Sequence, residues 1–311
     1  MSLTSAVPAP TRGVLFGHPI TSRPALRWLD RSAPSPFSPI RIDVADTSGL
    51  SGLRGQCPYV EPVSRREPDG TLVLDTSDFG AYVLDAQAGT IIAPSYRAGS
   101  ALWERRLLNW AIPILLSEQG TLVLHAAGIV TPAGAILIVG ESTAGKSTFA
   151  SATLELGYHL LSEDGVAVTS DESGAGLLAW PGPSGIRLRH RRDGHPAIRR
   201  TNAIRPERRC SSPVPLAGVL ALGPRSGEGA PVTRLGAAAA VATIANRSFS
   251  HGTALGRLYP RFADVARSVP VATTSLRDSL AQLLDEVTRV LEAFARVDDT
   301  RSITTTTPTW R

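Results

Sequence analysis

Lys146 is the only lysine in a chain of 311 residues; every other member of its 32 lysines and arginines is an arginine. It lies in a run from Ala135 to Val139 that continues Gly140, Glu141, Ser142, Thr143, Ala144, Gly145, Lys146, Ser147, Thr148, an apolar stretch leading into G-x-x-x-x-G-K-S. Gly140 and Gly145 allow a tight turn in which successive backbone N–H groups and a helix N-terminus face a polyphosphate. Lys146 is spaced to reach the β- and γ-phosphates, and the Ser147 hydroxyl is a hard oxygen donor for Mg²⁺. A compact ammonium fits such a loop where a flat guanidinium does not, which explains why an arginine-rich chain keeps one lysine here. Residues 140–148 therefore predict a site for a nucleoside triphosphate, with ATP and Mg²⁺ as the expected cofactors.

Two further groups stand at fixed distances from this loop. Glu163 and Asp164 follow Lys146 by 17 and 18 residues, and His125 precedes it by 21. Paired acids at a strand end, one short helix after the loop, are placed to meet both a cation and an acceptor group. His125 alone would read as an ordinary strand histidine, and its spacing from Lys146 favours the functional reading. His159, His190, His195 and His251 have no partner legible in the sequence.

The elements that must position these residues follow from periodicity and turn chemistry. Strands are predicted over 121–130 and 135–139, joined by the Pro132–Gly134 turn into a hairpin that delivers the loop. A helix is predicted from 146 to 156, with Gly157 past its end, then strands over 158–161, 166–169, 177–181 and 214–222. Helices over 237–248, 257–267 and 276–294 and a strand over 269–273 complete this half. In the first half, short runs over 13–16 and 40–44 read as strands, and 71–75, 80–85 and 90–93 as an antiparallel sheet. A helix over 100–117 joins the halves, with Pro113 a kink or stop. No internal repeat is visible.

Composition narrows the class. With 42% hydrophobic residues the chain builds a real core, and its length suits one large or two ordinary domains. Cys57 and Cys210 supply neither a disulfide framework nor a metal-ligand set. The start lacks a charged region followed by an apolar one, and the apolar runs near 110–116 and 237–245 are too short for a bilayer. The expectation is a soluble, reduced, cytoplasmic protein with no membrane or nucleic-acid partner. The net charge is +5, and nine arginines cluster between Arg187 and Arg209 against Asp193 and Glu207. That segment reads as a solvated loop, a phosphate- or acceptor-facing surface, or a nucleic-acid patch.

Taken together, Leu124-His125-Ala126-Ala127-Gly128, the loop from Gly140 to Thr148, and Gly157 to Asp164 (GYHLLSED) resemble the catalytic domain of HPr kinase/phosphorylase and its relatives. Those are P-loop kinases related in fold to phosphoenolpyruvate carboxykinase. The resemblance spans about 119–295, with weaker echoes at Pro181 to Leu188, Val214 to Ala217 and Val269 to Val271. It implies an α/β P-loop kinase domain over 119–295; the alternating runs before it read as a smaller β-rich domain over 1–118, a candidate for acceptor recognition, and the threonine-rich end reads as a disordered tail over 296–311.

The resemblance also implies roles. Lys146 and Ser147 match the phosphate-binding and Mg²⁺-binding residues, Glu163 the base towards the acceptor serine, Asp164 a neighbouring acid that helps hold Mg²⁺, and His125 a histidine that tunes the base. Arg187 falls in the PGPSGIRL echo as a phosphate clamp. The family usually has Asp where Glu163 stands, and one extra methylene displaces a carboxylate by roughly 1.3–1.5 Å, an error that costs about 10²-fold when uncompensated. The first half does not resemble the amino-terminal domain of HPr kinase, and the extended Gly-rich signature after the acidic pair is missing. This pattern implies a stand-alone relative, such as the kinases that phosphorylate serine in peptide natural-product precursors, lasso-peptide pathways among them. A kinase for a small hydroxyl compound such as free serine, and a nucleotide-binding regulatory module without phosphotransfer, are the alternatives. Relatives form oligomers, so a homo-oligomer is an expectation of the resemblance.

Overall fold

The structure is a computed structural model that describes residues 10–31, 33–52, 63–174, 176–183, 186–188, 191–192, 195–196, 200–202, 208–225, 228–250, 253–277 and 283–299. Strands β1 (Thr11–Leu15), β2 (His18–Ser22), β3 (Ile40–Ala45), β4 (Val63–Arg66), β5 (Leu72–Thr76), β6 (Gly80–Asp85) and β7 (Thr90–Pro94) form one seven-stranded sheet in the order β1-β2-β3-β7-β6-β5-β4. β5 to β7 make the antiparallel meander that their alternation predicts, extended by β4, which the sequence reading did not place. The sheet as a whole is mixed, because β3 runs parallel to both β2 and β7. The linker over 23–39 is long enough for the crossover that a parallel pair demands and a hairpin does not.

A single helical rod over 101–118 leads out of this sheet, its first turn capped by the Ser100 hydroxyl accepting from Trp103 N–H. Pro113 does not stop it. Proline has no N–H for the carbonyl four residues back, and its ring crowds that carbonyl. The rod answers with a π turn over Leu107–Ala111, in which Ile112 N–H reaches Leu107 O. Asn109, four residues before Pro113, sits in the widened turn, and such turns are frequent at functional sites.

The second half splits a predicted element. The run over 121–130 becomes β8 (Leu122–Leu124), paired with β12 (Val166–Ser170), and β9 (Ala127–Thr131), paired with β10 (Gly134–Gly140) and β11 (His159–Ser162). His125 occupies the break, where its N–H donates to Arg247 O at 2.6 Å instead of continuing the ladder. The sheet runs β11-β9-β10, then the long strand Val214–Leu222, then β13 (Leu177–Trp180), β12 and β8. β10 is parallel to Val214–Leu222, which is parallel in turn to Val271–Thr274.

Strand β10 is apolar throughout because both of its faces are covered. Leu137 and Val139 enter a cluster with Ile244, Leu258, Phe262 and Val265 of helices Ala237–Ala245 and Thr253–Ser268. Ile136 and Ile138 enter another with Phe149 and Ala150 of helix Lys146–Glu155 and Val287, Val290 and Phe294 of helix Leu283–Asp299. Each fully buried side chain of this kind contributes roughly 1.5–3 kcal/mol before entropy is counted. The strand that carries the loop is thus clamped from both sides. The last helix was expected from 276; its described portion is Leu283–Asp299, with 278–282 outside the described residues.

The two halves share a core. Val123, Ala167 and Trp180 belong to the cluster built on Phe16, Tyr82, Trp103 and Leu115. Phe16 is fully buried at the β1–β2 turn, and its N–H donates to Pro181 O at 2.9 Å. The tail over 300–311 lies outside the described residues. Among the described residues no helix is long and apolar enough to cross a membrane.

Candidate active site

The loop after β10 folds as its glycines require. Gly140 and Gly145 have φ of 154° and 106°. At Gly145 the positive φ strains any side chain, and one there would also crowd Arg225 Nη2 at 3.0 Å and Leu276 Cδ1 at 3.3 Å. Glu141, Ser142 and Thr143 form its exposed crown, Ala144 is buried, and Thr148 is half-buried in the helix. Thr143 adopts a φ of 84°, rare for a β-branched residue. Strain of this sort concentrates where backbone groups must be aimed at a ligand.

Lys146 opens the helix and is 8% exposed. Its ammonium folds back on the loop, donating to Gly140 O at 2.8 Å and Glu141 O at 3.3 Å. Burial is the main reason that its pKa falls below the ordinary lysine value, with the Arg247 charge adding to the effect and Asp164, Glu141 and Glu163 opposing it. A buried cation under this pressure gains strongly from an incoming anion.

The two acids also make different hydrogen-bond and ion-pair contacts. Ser147 Oγ donates to Glu163 Oε1 at 2.9 Å, and Glu163 is 5% exposed. Asp164 contacts a different pair of side chains. Its Oδ1 lies 3.4 Å from His125 Nδ1, and its Oδ2 accepts from Asn109 Nδ2 at 2.6 Å. Burial lowers the His125 pKa, with Asp164 opposing and Lys146 and Arg247 reinforcing the shift, so the imidazole is neutral near pH 7. Phe249 meets the ring edge-on, with centroids 5.7 Å apart.

His125, Lys146, Ser147, Glu163 and Asp164 are therefore brought together around one loop. Arg187 lies on the short strand Ile186–Leu188, paired to Arg200–Asn202 beside the loop helix; its side chain is outside the described residues. Sequence reasoning missed Asn109 and Arg247. Asn109 carried a signal, being a polar residue among Leu107, Leu108, Ala111 and Ile112 with a proline four positions on; it is buried. Arg247 carried none, because its place beside His125 comes from a turn that crosses from helix Ala237–Ala245 to the end of β8.

Two hard oxygens, Ser147 Oγ and Glu163 Oε1, stand side by side at the helix start, which fits a small cation that takes its remaining ligands from phosphate and water. Among the described residues there is no group of three or more His, Cys, Asp and Glu that could form an all-protein metal cage.

No family model matches the chain, and no curated protein matches it. Among solved structures it is similar to the HPr(Ser) kinase/phosphatase from Coxiella burnetii, at 12% identity and a TM-score of 0.34, over 58% of this chain and 94% of that one. What the site can do chemically is set by its own geometry.

Proposed function

We propose that this chain is an ATP-dependent kinase that transfers the γ-phosphoryl group to a serine hydroxyl of a peptide or protein. The observation that carries the reading is the arrangement of a phosphate loop over two carboxylates with different partners, Glu163 on Ser147 and Asp164 on His125 and Asn109. Loop N–H groups and Lys146 cradle the phosphates, exchanging the carbonyls of Gly140 and Glu141 for phosphate oxygens. Ser147 and Glu163 would hold Mg²⁺. Bound there, the ion supplies neutralisation of charge on the phosphate oxygens.

The resemblance gives Glu163 the base role and Asp164 the cation. The partners favour the reverse. The longer side chain of Glu163 is what reaches Ser147, which gives the extra methylene a use. Asp164 is held by two neighbours and, with His125, remains partly exposed, at side-chain exposures of 22% and 39%. An acceptor hydroxyl can approach there. Its oxygen attacks the γ-phosphorus, the bond to the β–γ bridging oxygen breaks with its electron pair leaving on ADP, and the hydroxyl proton passes to Asp164. Neutral His125 orients the carboxylate. Positioning and charge stabilisation supply most of the rate.

The test is transfer of labelled γ-phosphate from ATP·Mg²⁺ to a pool of serine peptides, proteins and free serine, by the native chain and by Lys146→Ala. Label that appears only with the native chain supports a kinase, and the labelled species names the acceptor class. Tight nucleotide binding with no labelled product in any pool supports a regulatory module instead. Phosphate release at one rate with or without acceptor supports a hydrolase.

A further inference from the structure

Glu141 and Arg247 are joined by an ion pair of 2.5 Å across the mouth of the phosphate loop. Glu141 occupies the first variable position of the loop, and its side chain is 74% exposed, whereas that of Arg247 is only 24% exposed. An exposed pair of this type contributes little to stability. What it does is hold a guanidinium in one place.

The backbone of Arg247 is fixed independently of that pair. Its carbonyl accepts from His125 N–H at 2.6 Å, and its own N–H donates to Ile244 O at 3.1 Å. Ser248 bridges to Leu124, and Phe249 N–H donates to Val123 O at 3.0 Å. Arg247 therefore projects from a rigid turn bonded to the residue that orients the proposed base, and only its side chain is free to change partner. Its present partner, a carboxylate, has the same charge and the same fork-accepting geometry as a phosphate.

Resting on the kinase reading above, we propose that Arg247 grips the γ-phosphoryl group of ATP from within the same chain, and that Glu141 is the placeholder that holds it while the loop is empty. When the triphosphate enters, its terminal oxygens replace the Glu141 carboxylate, which swings into solvent. Arg247 then faces Lys146 across the transferring group, on the side occupied by His125 and Asp164. Such an arginine stabilises charge that is present on the γ-phosphate and absent from ADP. It should therefore discriminate between nucleotides and accelerate transfer, whereas a structural arginine would do neither.

The experiment measures affinities of the full-length chain for ADP and for a non-hydrolysable ATP analogue, both with Mg²⁺, in native protein, Arg247→Ala, Arg247→Lys, Glu141→Gln and Lys146→Ala. Arg247→Ala is expected to weaken the analogue by about 10-fold or more and ADP by less than about 2-fold, with transfer rates lower by about 10³-fold. Glu141→Gln, which frees Arg247, is expected to tighten the analogue by about 3-fold to 10-fold, a change of order 1 kcal/mol. Glu141→Gln and Arg247→Lys keep the test open where Arg247→Ala fails to fold. Equal losses for ADP and analogue in the Arg247 variants, or unchanged analogue affinity in Glu141→Gln, overturn the assignment and leave the kinase reading standing. Native protein that binds neither nucleotide, or binds no better than Lys146→Ala, overturns the kinase reading and this assignment with it.

Discussion

Asn109, in a π turn of the rod that leaves the first sheet, donates to Asp164 at 2.6 Å in the second half of the chain. The amide fixes one carboxylate oxygen while His125 faces the other. The proposed base is thus aimed by a residue from outside the segment that carries the phosphate loop, in the π turn that accommodates Pro113.

Removing this donor should damage catalysis without touching nucleotide binding. A hydrogen bond to a charged group is worth about 1.5–3 kcal/mol, so Asn109→Ala is expected to lower kcat by about 10-fold to 100-fold, with KM for ATP within about 2-fold. Asn109→Asp should be worse, because it sets a like charge against Asp164. Pro113→Ala restores the missing N–H, so it should raise the melting temperature while lowering kcat. Steady-state kinetics with thermal melts of the three variants check this.

The proposed division of labour between the carboxylates predicts different failures. Glu163→Gln is expected to raise the Mg²⁺ concentration needed for half-maximal rate by about 10-fold or more. Asp164→Asn should leave that requirement within about 2-fold and lower kcat by about 10²-fold or more. Mg²⁺ titrations at saturating ATP separate the two, and the opposite pattern would restore the roles that the sequence resemblance implies.

Lys146 should cost stability in the empty protein. Burial holds its pKa below the ordinary value of 10.5, so the unfolded chain binds that proton more tightly than the fold does. The penalty is fully present below the folded value and shrinks as pH rises from the folded value towards the unfolded one. Lys146→Met is therefore expected to raise the melting temperature of the empty protein by about 1–3 °C. The same variant should lose the stabilisation that native protein gains from ATP·Mg²⁺. Paired melts with and without nucleotide give both numbers.

His125 makes a separate pH statement. Burial lowers its pKa from 6.5, so between 6.5 and the folded value the unfolded state carries the extra proton. Stability should fall as pH drops through that window, and this residue should contribute no slope above it. His125→Gln should flatten the window. Urea midpoints from about pH 7.5 down to about pH 5 measure the difference in slope.

The loop and the strand–helix context around it were legible because local rules fix them: an apolar run, two glycines and one lysine at set spacing. The same is true of the β5 to β7 meander, where alternation and turn residues coincide. The parallel placement of β3 was not legible, since nothing within Ile40–Ala45 states which strands it will meet. The break at His125 was hidden for a similar reason. Val123, Leu124, Ala126 and Ala127 read as one strand, and only Arg247, 122 residues later, supplies the acceptor that ends the ladder. Pro113 does not stop the helix because the preceding turn widens into a π turn, which nothing in the local sequence specifies. Asn109 and Arg247 reach the site through packing between elements far apart in sequence.

The grip of Lys146 on the carbonyls of Gly140 and Glu141 has a consequence for how a ligand is received. The loop is already wound before anything arrives, so an incoming phosphate exchanges partners and orders almost no backbone. Little conformational entropy is then lost on binding, and association should proceed in a single kinetic phase whose rate rises linearly with nucleotide concentration.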